Sequence, residues 1–169
     1  VVLYHIQPAQ AELVAGFEAK EEEPGYLCFG GPTPKGAAQF PTSILGAWAP
    51  GTTGVDFPKG TGIEIKPGSK IVLQMHYTIF EVGQSDQSSV EFSLSDSVEK
   101  RGLYLPWFDL NWGLKKEAMK IAANDKAATH IYEEVANRGA ITMLLKAGLD
   151  FSNGMIIHSI NPHLHLLGK

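Results

Sequence analysis

Apolar and polar positions along the chain follow the period of a β-strand in several short runs, each bounded by turn residues. Residues 1–6, opening Val1-Val2-Leu3-Tyr4, read as a short buried strand. Residues 9–23 are Ala-rich and acidic without a firm period, so no helix is placed before residue 100. Between residues 24 and 62 the pairs Pro24-Gly25, Gly30-Gly31, Pro50-Gly51 and Lys59-Gly60 mark successive turns. Ile63-Glu64-Ile65 alternates, residues 71–79 give the strongest strand signal, and Pro67-Gly68-Ser69 separates the two at hairpin length. Val90-Glu91-Phe92-Ser93-Leu94 alternates as a half-exposed strand does. Residues 115–137, rich in Ala, Lys and Glu and followed by Asn137-Arg138-Gly139, predict a helix with its stop. Strand returns over residues 155–167. The pattern predicts a mainly β fold: an antiparallel sandwich through about residue 105, then a helical insertion.

Composition narrows the function classes. At 169 residues and 44% apolar the chain is long enough for one domain and marginal for two small ones. Lys+Arg of 14 against Asp+Glu of 18 gives a net charge of −4 with no basic block, which argues against a nucleic-acid partner. No apolar run reaches the roughly 20 residues of a membrane span. Cys28 is the single cysteine, so no internal disulfide forms. Its neighbours Tyr26, Leu27 and Phe29 are not those that activate a thiol nucleophile.

The chemistry resides in the histidines. His163 and His165 stand two residues apart, so in a strand they share one face at about 7 Å, close enough to converge on one ion. Leu164 and Leu166 point the other way and can anchor the strand in a core. A third imidazole, His76, follows Gln74-Met75, with Met75 on the opposite face. For His76 alone the plainer reading is a hydrogen-bonded core histidine, and for the pair it is a solvated strand face. His158 reads as structural or as a support to the pair, His5 and His130 as surface or packing residues, Met75 and Met143 as core filler. Trp48, Trp107 and Trp112 are expected to pack the sandwich.

Five segments occur in an order that matches a known family. They are Pro24-Gly25-Tyr26-Leu27-Cys28-Phe29-Gly30-Gly31, Leu45-Gly46-Ala47-Trp48-Ala49-Pro50-Gly51, Pro58-Lys59-Gly60-Thr61-Gly62, Val72-Leu73-Gln74-Met75-His76-Tyr77 and His163-Leu164-His165-Leu166-Leu167-Gly168-Lys169. In them the chain resembles the copper type II, ascorbate-dependent monooxygenases, the family of peptidylglycine α-hydroxylating and dopamine β-monooxygenases, and most of all its bacterial members. The resemblance runs from residue 1 to about residue 94 and resumes near residue 155. It implies jelly-roll-like β-sandwich domains, with residues 1–105 belonging to the first and residues 106–169 comprising the helical insertion and the start of the second.

The resemblance also implies two separate copper sites. His76 matches one of three histidine ligands of the electron-transfer copper, and His163 and His165 match the imidazole ligands of the copper where O₂ binds. Ascorbate is then the reductant, and the substrate is a small molecule or peptide with an activated C–H bond. A secreted, periplasmic or extracellular setting follows from the same resemblance. The family's His-His pair falls just before residue 1 and its Met ligand well past Lys169. The expectation is therefore a fragment, inactive alone, whose sites are completed by the rest of the same polypeptide. The competing reading is a non-catalytic extracellular copper-binding or interaction module of a larger redox protein.

Overall fold

The computed structural model describes residues 1–38, 40, 42–54, 56–78, 83, 85–109, 111–112, 115, 117–134 and 153–162. The chain divides into two units, Val1–Leu105 and Pro106–Lys169. It is mainly β or α+β, with one helix and a small antiparallel sheet among the described residues.

The first unit is organised by β1 (Val2–Ile6), the central strand of a three-stranded antiparallel sheet. Its neighbours are β2 (Ser43–Ala47) on one side and β4 (Lys70–Gln74) on the other. Because β1 is paired on both edges, its alternate residues can all be apolar or hydrogen-bonded, and Leu3, His5 and Ile6 are buried. Ile6 is fully enclosed, a burial that contributes about 1.5–3 kcal/mol. Pairing with β4 runs unbroken from Val2 opposite Gln74 to Ile6 opposite Lys70. Pairing with β2 shifts between Leu3 and Tyr4, which face Gly46 and Ile44, so Leu45 is the extra residue of a bulge.

Gln7 leaves β1 in an extended conformation (φ −62°, ψ 152°), as a residue before proline must, and Pro8 opens α1 (Pro8–Glu18). The helix buries Ala11 and Val14, one turn apart. With Leu3 and Ile6 these make up the apolar core of the described residues. The expectation of no helix in this region was wrong. An apolar face of two small residues is too narrow to give a periodic signal, and the proline start was the legible cue.

Other expectations change too. Residues 66–69 do form a turn, with the Ser69 N–H bonded to the Lys66 carbonyl at 3.1 Å and Gly68 at φ 81°. They do not form a hairpin, since β4 pairs with β1 and not with the segment before the turn. That segment contributes only β3 (Thr61–Gly62), which lies parallel to β5 (Lys100–Arg101). The approach is tight: a Cβ on Gly62 would sit 3.0 Å from Val98 Cγ1, and the valine would have to give way. The strand expected over residues 71–79 ends at Gln74. Residues 90–94 are not in a strand, and Val90, Phe92 and Leu94 are exposed. A period-two pattern specifies a face but not the surface that covers it.

In the second unit the expected helix is absent from residues 117–134, where turns fall at 117–119 and 123–124. Asn124 takes a positive φ of 67°, which breaks any helix there. High Ala, Lys and Glu content supplies propensity without an apolar stripe, and propensity alone is a weak determinant. The Trp107 and Trp112 rings lie 5.9 and 6.2 Å from that of Tyr132. Trp107, like Trp48, remains nearly half exposed, so these indoles are not the core residues expected. No strand occurs in residues 153–162, and residues 163–167 of the expected terminal strand lie outside the described residues.

Candidate functional site

Gln74 closes β4 and is buried to 4% exposure, so each of its amide hydrogens and lone pairs needs a partner. All four find one. Its Nε2 donates to the Gly31 carbonyl at 2.9 Å and to Cys28 Sγ at 3.3 Å. Its Oε1 accepts from the Tyr4 hydroxyl at 3.4 Å and from His76 Nε2 at 3.1 Å. The reverse amide orientation would set two acceptors, Oε1 and the Gly31 oxygen, against each other, so the carbonyl must face His76.

That orientation decides the tautomer of His76. A carbonyl oxygen only accepts, so Nε2 carries a proton, and in the neutral ring Nδ1 then keeps the lone pair. The ring itself is exposed, one residue beyond Met75 and two beyond the strand end. An imidazole held through one N–H by a buried acceptor, its other nitrogen without a partner among the described residues, has the form in which histidine ligates a metal. His76 therefore fits the role of a ligand. The Tyr77 hydroxyl next to it donates to Asp86 Oδ2 at 2.8 Å, and this bond to a carboxylate holds the phenol pKa above its usual value.

Cys28 sits half-buried on the far side of Gln74, in the glycine-rich loop that continues from Tyr26. Burial, then the nearby Cys28, raises the Tyr4 pKa. Tyr26 donates to the Pro32 carbonyl at 2.6 Å and stacks edge-on against Phe17, with ring centres 5.6 Å apart. Burial first, with Cys28 and Glu18 adding, pushes its phenol up to about 12. Leu27 and Phe29, flanking the cysteine, are 92% and 87% exposed. A cleft of about 1400 Å³ opens beside this loop, along β4 and the end of α1.

His5 contrasts with His76. It is buried in β1, with Nδ1 3.1 Å from Ser43 Oγ at the start of β2 and Nε2 2.9 Å from Ser69 Oγ just before β4. One serine donates and the other accepts, which satisfies a neutral ring. Burial lowers its pKa, and Lys66 acts in the same sense against an opposing influence of Glu64. Both nitrogens are committed, so His5 is a packing residue. His130 is half-buried and His158 exposed. His163, His165 and Met143 lie outside the described residues.

Among the described residues no group of three or more His, Cys, Asp or Glu side chains gathers in a metal-holding arrangement. None of the described helices is long and apolar enough to cross a membrane. Sequence reasoning singled out His76 but missed Gln74 and Tyr4. The available signal was Gln74 itself, a polar residue at a position of β4 whose strand partner Val2 belongs to the central strand. Compared with protein-family models, curated proteins and solved structures, the chain finds no significant match.

Proposed function

We propose that the chain is part of a copper-dependent, ascorbate-type monooxygenase that hydroxylates an activated C–H bond, assembled from jelly-roll-like antiparallel sandwich domains in a secreted or periplasmic protein. The observation that carries this reading is the Gln74–His76 pair: a fully satisfied buried amide fixes the imidazole, and Nδ1 has no partner among the described residues. It gives a physical reason for glutamine two positions before the histidine, since residues i and i+2 share a side of an extended chain. His76 would hold the electron-transfer copper through Nδ1, and His163 and His165 would hold the oxygen-site copper, each site completed by residues beyond this chain. Copper bound there would relay two electrons from ascorbate to O₂, one oxygen atom entering the C–H bond and the other leaving as water. Tyr4 and Gln74 act by holding His76, and Tyr77 by tying the following segment to Asp86.

The test is ascorbate-dependent O₂ uptake coupled to product formation, on a polypeptide extended at both ends, with and without a copper chelator. His163→Ala is expected to abolish hydroxylation. If it leaves the rate intact, the oxygen-site assignment fails. If the extended polypeptide holds copper and oxidises no peptide, amine or small aromatic substrate, the non-catalytic copper-binding module replaces the enzyme.

A further inference from the structure

The two outer edges of the three-stranded sheet differ. On the β2 side, Tyr104 forms an isolated antiparallel bridge to Ile44 and so covers part of that edge. On the β4 side, no strand is paired among the described residues. Natural proteins blunt open edges with bulges, prolines or short strands. β4 has no proline, and its register with β1 is regular over all five residues. Such an edge presents an unbroken row of backbone donors and acceptors.

The cleft runs along that edge. It is lined by every residue from Lys70 to Met75, so it follows the whole length of the strand. Its opposite lip comes from the last turn of α1 and the segment after it. There Glu18, Glu21, Glu22 and Glu23 outnumber the cleft's two ammonium groups, Lys20 and Lys70. The last turn of α1 holds no basic residue, so its carbonyl ends add partial negative charge on the same side.

We propose that this cleft is a docking groove for an extended segment of a partner protein in which lysines or arginines alternate with aliphatic residues. The segment adds to β4 as a fourth strand. Its backbone pairs with the edge left open among the described residues, its apolar side chains extend the surface of Ile71 and Leu73, and its cations face the Glu21–Glu23 lip. Charge selects the partner and backbone pairing orients it. This reading is independent of copper chemistry.

The test is fluorescence anisotropy with the 169-residue chain and a labelled Lys-Val-Lys-Val-Lys-Val peptide at low salt. Two control peptides carry Glu for Lys, or N-methyl groups on alternate amides. Each control is expected to bind about tenfold more weakly or worse, and the E21K/E22K/E23K variant is expected to lose the lysine peptide to the same degree with its circular dichroism unchanged. Equal binding of the N-methylated peptide would rule out strand addition without relying on any variant. Equal binding of the Glu peptide, or no binding of the Lys peptide, would also overturn the proposal. If the chain self-associates through this edge, seen as concentration-dependent sedimentation, or if a polypeptide extended at its N-terminal side no longer takes the peptide, the occupant is a second copy or the chain's own strand.

Discussion

His5 lies in β1 and His76 two residues past the end of the neighbouring β4, yet their surroundings leave them with very different capacities to bind anything. His5 lies inside, with both ring nitrogens on serine hydroxyls and nothing left to bind a ligand. His76 lies outside, with one nitrogen held by a buried amide and the other without a partner among the described residues. The difference teaches that a histidine's role depends on how many of its nitrogens the protein has already used. Burial and pairing separate an imidazole with no nitrogen to spare from one that could ligate, where residue type cannot.

Substitution should expose this contrast most strongly at His5. His5→Ala removes a fully enclosed ring and leaves two serine hydroxyls without their partner, so unfolding in urea should show a loss of about 2–4 kcal/mol. The pH dependence has a definite sign. The folded pKa of His5 is lowered, so the unfolded chain binds the extra proton first, and stability is fully present above about pH 6.5 and declines as pH falls through the folded pKa. Melts of the parent chain and of His5→Gln should converge as the medium is acidified below that value. A gap that widened with acid would mean that the folded state favours the charged ring.

Gln74→Ala should cost less, about 1–3 kcal/mol, by stranding the Gly31 carbonyl and the Tyr4 hydroxyl. It should also release the His76 ring, seen as a change in imidazole tautomer by nitrogen NMR. An unchanged Nε2–H signal would mean that Gln74 does not set the tautomer. Tyr26→Phe should lose about 1 kcal/mol with its bond to Pro32. With a folded pKa pushed up to about 12, Tyr26 favours the fold below its ordinary value near 10, and that stabilisation is lost as pH rises through 12. The ultraviolet titration of the variant should lack the most alkaline step. Smallest of all, His76→Ala should cost about 0.5 kcal/mol, because an exposed ring packs against little and Gln74 Oε1, though it loses one donor, keeps the Tyr4 hydroxyl. The same variant should weaken Cu(II) binding, measured by calorimetry, and His5→Gln should not.

The sequence made β1 legible because Val2, Leu3, Tyr4 and Ile6 crowd four apolar or aromatic side chains into five positions, and it made the core half of β4 legible for the same reason. It failed where pattern and partner separate. The alternation of Val90, Phe92 and Leu94 specifies a strand face, yet these side chains are exposed and no ladder forms through them. Ala, Lys and Glu raised a helix expectation over residues that turn at Asn124, while the true helix, α1, hid behind a two-residue apolar face. At the site, His76 could be read from its place beside Gln74 and Tyr77. The four-way bonding of Gln74 could not, because Gly31 and Cys28 lie more than 40 residues away in sequence.

Strand order carries a consequence for synthesis. β1 precedes both of its partners in the chain, so it emerges from the ribosome with two open edges. At about 5–20 residues per second, roughly 3 to 13 s separate the appearance of Ile6 from that of Lys70, the residue it faces in β4. During that interval β2 can pair with β1 once Ala47 has been made, but the edge that β4 covers stays open. The central strand is thus the segment a chaperone has most reason to shield while the polypeptide is still being made.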